Sequence, residues 1–249
     1  MIHTMKTIKL FVLLLFFVAG LASLSSCKDD EPDNPDTQEW VDLGLPSGTL
    51  WATCNIGANA PEDYGDYFAW GETKPKDNYD LNNYKWYNHD DNYYTKYNQS
   101  YSKGYYDDSG NYVPVVTKDD KTELDPEDDA AYVNWGPSWR MPTHEQQQEL
   151  VEQCTWTWTT RNGVYGMQGT GPNGKTIFFP AAGWRWEESL ELAGEYCCCW
   201  SRTLYPLVSE YAYNLNFFSG VDLLGGYYLN YPSARNVGFS VRAVRVPQN

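Results

Sequence analysis

The sequence predicts an α+β domain that is rich in short strands, with two short helices and long loops. Segments in which aromatic or aliphatic residues alternate with polar ones recur along the chain, and this alternation is typical of strands that bury one face. Only two positions combine a helix-capping residue with apolar residues at helical spacing. Many scattered strands and few helices indicate the α+β class.

The clearest strand patterns lie in the second half of the chain. Between 155 and 160, threonines alternate with Trp156 and Trp158. Successive side chains of a strand point to opposite sides, so one face of the segment 211–217 carries Tyr211, Tyr213, Leu215 and Phe217. Further strands are predicted at 49–56, 176–179, 196–203 and 238–246.

Capping residues mark the two helix starts. Asp125 suits an N-cap and Pro126 suits the first helical position, which predicts a short helix to about Val133. The segment 143–146, Thr-His-Glu-Gln, is a capping box and predicts a helix to about Cys154. The apolar stripe of this second helix consists of Leu150, Val151 and Cys154.

The composition excludes several classes of protein. The 249 residues carry a formal net charge of -15, and a chain this acidic repels a phosphate backbone, so nucleic acid is excluded as a partner. Aromatic residues make up 16% of the chain, and the surface they bury on folding excludes disorder over the whole length. Serine-hydrolase, zinc-protease and phosphate-loop motifs are not found in the sequence, so we predict no catalytic residue and no cofactor.

Residues 1–26 have the pattern of an export signal. Two lysines precede an apolar run from Leu10 to Leu24, which is too short to span a bilayer comfortably. The run ends in Leu-Ser-Ser-Cys at 24–27, which resembles the lipobox of bacterial lipoproteins and implies that Cys27 becomes the acylated first residue. The alternative is an ordinary signal peptide that happens to precede a cysteine.

Residues 27–39 are predicted to be an acidic tether, and 40–249 one folded domain. Seven acidic residues and two prolines between 28 and 42 favour an extended, solvated segment. Its opening, Cys-Lys-Asp-Asp-Glu, resembles the signal that sends lipoproteins of Bacteroidetes-type bacteria to the outer face of the outer membrane. The resemblance implies a protein that is bound to the outer membrane through its lipid and faces outside the cell. The alternative is a charged linker without sorting information.

The domain carries a series of motifs in a fixed order. They are 40–55 (WVDLGLPSGTLWATCN), 64–73 (YGDYFAWGET), 128–131 (DDAA), 134–136 (NWG), 139–143 (WRMPT), 180–183 (PAAG) and 238–242 (GFSVR). Together they resemble the Fibrobacter-type major paralogous domain of gut Bacteroidetes lipoproteins, over nearly all of 40–246. The RMPT and GFSVR segments are also similar to sulfatase-modifying-factor domains, which implies a C-type-lectin-like fold. The resemblance implies no particular activity, because a fold alone does not determine function.

Two cysteines of the domain are candidates for a disulfide. Export permits disulfides, Cys54 ends a predicted strand, and Cys154 closes the second predicted helix. We therefore predict a Cys54–Cys154 bond, with two separate buried thiols as the alternative.

The run of three cysteines at 197–199 lies in a predicted strand. Cys197 and Cys199 share a face there, and Cys198 opposes them. No further Cys and no His accompany them at ligand spacing, and the only histidines of the domain are His89 and His144, so a complete zinc set is not predicted. Related sulfatase-modifying oxidases use a cysteine pair near the C-terminus, but that spacing is missing here. A cysteine-dependent oxidase is therefore the less favoured alternative to small buried residues.

Acidic residues are concentrated between 119 and 129, where seven of eleven residues are Asp or Glu. Such a cluster can attract Ca²⁺, which takes several oxygen ligands. It also suits the start of a helix, where acids interact favourably with the positive end of the dipole. The helix start is the favoured interpretation, and no metal site is predicted.

Aromatic residues supply the candidate ligand-binding positions. The segment 79–106, called the tyrosine-rich segment below, contains nine tyrosines and Trp86, interleaved with asparagines, and predicts a long ordered loop region. Flat sugar faces stack on such rings, although aromatic residues more often pack on their own core. The candidate binding residues are Tyr84, Trp86, Tyr87, Tyr93, Tyr94, Trp184, Arg185 and Trp186.

The sequence therefore predicts a surface lipoprotein whose domain binds a glycan or a surface protein without catalysis. A structural subunit of a surface assembly, such as a pilus tip, is the alternative from another class.

Overall fold

The computed structural model describes residues 38–90, 92–99, 103–116, 118–219, 227–228 and 232–245. All of them belong to one compact unit of the chain, Pro35–Asn249. The export signal 1–26, Cys27 and the tether up to residue 37 lie outside the described residues. No helix among the described residues has the length and apolar character needed to cross a membrane.

Within these residues the chain forms many short strands and two α-helices, in agreement with the α+β class. The strands are β1 (Trp40–Asp42), β2 (Leu50–Ala52), β3 (Tyr87–Asn88), β4 (Tyr93–Tyr94), β5 (Lys103–Tyr106), β6 (Tyr112–Val116), β7 (Thr155–Arg161), β8 (Val164–Thr170), β9 (Thr176–Pro180), β10 (Trp184–Trp186), β11 (Ser189–Glu191), β12 (Tyr196–Leu204), β13 (Tyr211–Phe218), β14 (Tyr227–Tyr228), β15 (Ser233–Ala234) and β16 (Val244–Arg245). The helices are α1 (Ala130–Trp135) and α2 (His144–Gln153), with 3₁₀ turns at Leu81–Asn83 and Pro126–Asp128.

Three antiparallel sheets organise the domain. The first has the order β1-β2-β16, so it joins the first and last of these strands. The second is the meander β7-β8-β9. The third pairs β12 with β13, which also pairs with β14 and β15. The hairpins β3-β4, β5-β6 and β10-β11 lie in the connecting segments.

The core is divided between the two faces of the β12-β13 pair. One face contributes Cys198 and Trp200 to a cluster with Trp70 and Trp139. The other contributes Cys197, Cys199, Leu215 and Phe217 to a cluster with Leu150, Val151 and Cys154 from and beside α2. The alternation predicted for the cysteine run is therefore confirmed. So is the apolar stripe of α2, which buries against this sheet.

The second predicted helix is confirmed in detail, whereas the first begins later than predicted. Thr143 caps α2, and its capping box with Gln146 is formed in both directions. Asp125 makes no side-chain cap and precedes a 3₁₀ turn. The N-cap of α1 is Asp129, whose carboxylate accepts hydrogen bonds from the N–H groups of Ala131 and Tyr132 at 2.8 and 3.1 Å. These two aspartates are four positions apart, and both have the extended backbone conformation of an N-cap.

Two predicted strands are shorter than expected. The segment 49–56 is a strand only over Leu50–Ala52, and 238–246 only over Val244–Arg245 within the described residues. Their remaining backbone groups pair outside regular ladders, as when Ile56 N–H donates to the Val241 carbonyl at 3.0 Å. Sequence analysis also missed β8, although Asn162 and Gly163, both with positive φ, form the two-residue turn that leads into it.

Candidate binding groove

Three neighbouring cavities form a groove on the surface of the domain. The first has a volume of about 620 Å³, the second about 420 Å³ and the third about 370 Å³. The first and second share the lining residues Trp186, Tyr211 and Ala234. The second and third share Leu81, Tyr94 and Glu210. Because each neighbouring pair shares side chains, the three cavities are treated as one feature and called the aromatic groove.

The sheet around β13 forms one side of the first cavity. Cys198 and Asn216 lie opposite each other in the β12-β13 ladder, so their side chains project from the same face, and both line the cavity. Tyr196 precedes Cys198 by two residues in β12 and therefore lies on the same face. Ser233 and Ala234 of β15 complete this side. The register of the ladder thus brings together residues that are distant in the sequence.

The β10-β11 hairpin supplies the tryptophans. Trp184 packs edge-on against Tyr196, with 5.6 Å between ring centroids. Trp186 is 46% exposed and lies at the junction of the first and second cavities. The hairpin begins at Gly183, which has a φ of 63°, and a Cβ there would collide with the carbonyl oxygen of Glu191. Glycine is therefore required for the position of Trp184 and Trp186.

The second and third cavities carry carboxylates beside aromatic rings. Asp80, Glu187 and Glu210 line the second cavity together with Tyr94 and Trp186. Among the described residues that line the three cavities, none is Lys or Arg. The groove therefore favours neutral or cationic groups over anionic ones.

The structure brings five of the eight sequence-predicted binding residues to the groove. Trp184 and Trp186 line the first cavity, and Tyr87, Tyr93 and Tyr94 line the third. The hairpin and the tyrosine-rich segment, treated as separate patches from the sequence, thus contribute to one surface.

The other three predicted residues make contacts within the domain. Tyr84 is only 3% exposed, and its hydroxyl donates to the Trp70 carbonyl oxygen at 2.6 Å. The indole N–H of Trp86 donates to the Gly71 carbonyl oxygen at 3.0 Å. Arg185 lies over the ring of Tyr67, 5.5 Å from its centroid. None of the three lines a cavity of the groove, and their assignment to a ligand site stays a prediction.

Sequence analysis missed Arg235, which fixes the tyrosine-rich segment to the core. Its side chain is fully buried, its Nε donates to the Tyr84 hydroxyl at 2.9 Å, and Nη1 donates to the Ser209 carbonyl oxygen at 2.9 Å. The guanidinium also lies 4.8 Å from the ring centroid of Tyr94, a cation–π contact. A single arginine between small residues gives no sequence signal for such a role.

The predicted disulfide is not formed. Cys54 and Cys154 are free thiols in the structure, and they belong to different core clusters. The Cys54 thiol donates to the Ala58 carbonyl oxygen at 3.5 Å. Burial raises the pKa of Cys54 and raises that of Cys154 to about 11. The alternative of two separate buried thiols therefore describes the structure.

The cysteines of β12 are also buried thiols. The Cys197 thiol donates to the Phe179 carbonyl oxygen at 3.2 Å. Burial raises the pKa of Cys199 to about 12 and the pKa values of Cys197 and Cys198 well above the usual range. The thiolate is the reactive form of cysteine, so these environments oppose thiol chemistry.

Lysine side chains form ion pairs with the acidic cluster near α1. Carboxylate oxygens of Asp125, Glu127 and Asp128 lie within 4.8 Å of one another. Lys96 Nζ lies 2.6 Å from both Asp125 and Asp128, and Lys85 Nζ lies 3.0 Å from Asp128. Burial alone raises the pKa of Asp128, but hydrogen bonds from Lys96, Tyr97 and Lys85 outweigh burial and lower it. The cluster thus forms an ion-pair network that joins the tyrosine-rich segment to the start of α1.

Comparison of the chain with protein-family models, with curated proteins and with solved structures gave no match.

Proposed function

We propose that the chain is a surface lipoprotein whose domain binds a ligand in the aromatic groove without transforming it. The observation that carries this proposal is the groove itself, in which rings from the β10-β11 hairpin, β12, β13 and the tyrosine-rich segment line three linked cavities. Ligand sites are concave, mostly apolar and supplied with a few polar groups, and the groove has each of these properties.

A neutral glycan suits this surface best. Sugars present flat apolar faces to aromatic rings and hydroxyl groups to polar side chains at the rim. Trp186 is 46% exposed and Tyr211 is 38% exposed, so both rings keep surface that a ligand can cover. Asp80 and Glu210 offer acceptors to sugar hydroxyls. A peptide segment of a surface protein with neutral or basic side chains is the second ligand class that fits.

A cysteine-dependent oxidase receives no support from the thiols. All five cysteines of the domain are buried, and burial raises each pKa. Cys198 lines the first cavity, but its raised pKa keeps it protonated and poorly nucleophilic at neutral pH.

We also propose a C-type-lectin-like fold and a lipid anchor at Cys27. In favour of the fold, the first and last strands of the domain, β1 and β16, pair with the same strand, β2, and long connections lie between them. The anchor rests on the sequence at 24–27. Labelling cells with a tagged fatty acid tests it, because Cys27→Ser should abolish incorporation. Equal labelling of the variant and the parent would exclude the anchor.

A glycan array tests the binding function, with Trp186→Ala and Trp40→Ala as a matched pair. The two tryptophans are 46% and 47% exposed, but Trp40 lies on β1 and lines none of the three cavities. We expect Trp186→Ala to weaken binding at least tenfold and Trp40→Ala to leave it unchanged. Equal effects of the two substitutions would place binding elsewhere. If no glycan on the array binds and a pull-down recovers no surface protein, the binding function is excluded.

The β7 strand supports a structural subunit as the second candidate. It is seven residues long, pairs with β8 on one side, and lies at the edge of its described sheet. Free edges of this length can add a strand from another chain. Co-purification of one stoichiometric partner, lost on Thr157→Pro, would favour assembly over glycan binding.

A further inference from the structure

The first cavity contains a buried polar group that has no partner. Asn216 of β13 is 9% exposed, and its Oδ1 forms no hydrogen bond with any described residue. Its neighbour on the same strand face, Asn214, donates through Nδ2 to Ser233 Oγ at 3.0 Å and lines none of the three cavities. Buried polar groups are almost always hydrogen-bonded, and an unpaired one destabilises the fold. Asn216 therefore points to a ligand that supplies the missing partner.

The surroundings of Asn216 are apolar. Cys198 lies opposite it in the ladder, and Ala234, Val237 and Phe239 line the same cavity. Val237 and Phe239 belong to the main core cluster and are 6% and 4% exposed. A group that enters here must combine a hydrogen-bond donor with a small apolar part.

We propose that the first cavity binds the acetamido group of an N-acetylated sugar, an inference that rests on the proposed binding function. The acetamido N–H donates to Asn216 Oδ1. The methyl group packs against Val237 and Phe239. The sugar ring then lies toward Trp186 and Tyr211, where the first cavity meets the second.

Other common sugar substituents fit the cavity less well. A carboxylate or sulfate needs a cation, and none of the described lining residues is Lys or Arg. A free amine is charged at neutral pH, and the described lining of this cavity holds no Asp or Glu to pair with it. A plain hydroxyl can reach Asn216 but leaves the apolar side unfilled. Of these substituents, the acetamido group is the one that offers both a hydrogen-bond donor and a small apolar part.

Isothermal titration of the full chain with two matched disaccharides tests the inference. Diacetylchitobiose and cellobiose have the same β-1,4 linkage and differ in carrying acetamido or hydroxyl groups at position 2. We expect diacetylchitobiose to bind at least tenfold more tightly. Equal affinity for the two sugars would overturn the acetamido assignment and leave the groove as a glycan site. If neither sugar binds but other glycans on the array do, the acetamido assignment is overturned too. If no ligand of any kind binds, the result counts against the proposed function itself.

A substitution at Asn216 sharpens the test. Asn216→Leu keeps a similar volume and removes the amide, so we expect the preference for diacetylchitobiose over cellobiose to disappear. The thermal unfolding midpoint should be unchanged or higher, because the substitution also removes an unpaired buried oxygen. Asn173→Leu is the matched control, since Asn173 is exposed and lines none of the three cavities. If Asn216→Leu folds and retains the preference, Asn216 does not recognise the acetamido group. If it does not fold, the two sugars on the unaltered chain still decide the question.

Discussion

The tyrosine-rich segment and the β10-β11 hairpin both present aromatic side chains to the same groove, and of the groove-lining rings that they contribute, Trp186 of the hairpin is the most exposed. In the segment, the hydroxyls of Tyr79 and Tyr84 donate to core carbonyl oxygens at 2.6 Å, and both side chains are at most 3% exposed. In the hairpin, Trp186 is 46% exposed. Aromatic rings that look alike in the sequence thus divide into buried rings, whose polar atoms find partners in the core, and rings that face the groove.

Alkaline pH should give the largest effect, because it acts on several buried tyrosines of the segment together. Burial raises the pKa of Tyr79 and of Tyr94 to about 12, from an ordinary value near 10. The folded state therefore holds protons that the unfolded chain releases, so stability is complete below about pH 10 and is lost as pH rises toward 12. The slope is about 1.4 kcal/mol per pH unit for each such tyrosine. Absorbance of tyrosinate should rise together with unfolding followed by circular dichroism, and titration of all tyrosines without unfolding would contradict their burial.

Arg235→Ala should be the most damaging substitution in the segment. It removes hydrogen bonds to Tyr84, Ser209 and Lys96 and a cation–π contact with Tyr94. We expect a loss of about 3 kcal/mol or more in the free energy of unfolding, since several buried acceptors lose their donor. Urea denaturation measures it. Arg161→Ala, with a side chain 47% exposed, should change stability by less than about 0.5 kcal/mol.

Tyr84→Phe should cost less than Arg235→Ala. It removes one hydroxyl, which donates to the Trp70 carbonyl and accepts from Arg235, and leaves the ring in place. We expect a loss of about 1 to 3 kcal/mol, the cost of leaving these two groups unpaired. Tyr165→Phe is the control, because Tyr165 is 54% exposed, and it should be neutral. Equal stability of the two variants would show that the Tyr84 hydroxyl is dispensable.

Trp186→Ala should have the smallest effect on stability and so separate the two regions most clearly. Its ring is half-exposed, so we expect a loss of less than about 1 kcal/mol in urea denaturation, even though binding in the groove is expected to fall. A loss comparable to that of Arg235→Ala would mean that the hairpin, too, is mainly structural.

Local features of this domain could be predicted from the sequence, and long-range ones could not. The capping box at Thr143 and the alternation along β12 and β13 depend on neighbouring residues, and both are present as predicted. The Cys54–Cys154 bond depended on a distance that no local pattern specifies, and the structure lacks it.

The candidate site was only partly predictable for the same reason. Trp184, Trp186 and Tyr94 were candidates because aromatic rings beside polar side chains suit stacking on sugar faces, and all three line the groove. Asn216 and Tyr211 were missed, since only the register between strands places them beside the hairpin. Tyr84 and Tyr94 lie ten positions apart in one segment, and nothing in the sequence indicates that Arg235 donates a hydrogen bond to the first and lies over the ring of the second.

The sheet formed by β1, β2 and β16 determines how the domain would respond to mechanical load. If residues before Trp40 are held and a bound ligand is pulled, the force enters at β1, which shares three residue pairs with β2, and passes to β16 through two more. None of these strands contributes a residue to the groove. Under tension, β1 should therefore separate from β2 first. The groove should keep its bound ligand after this short strand has detached.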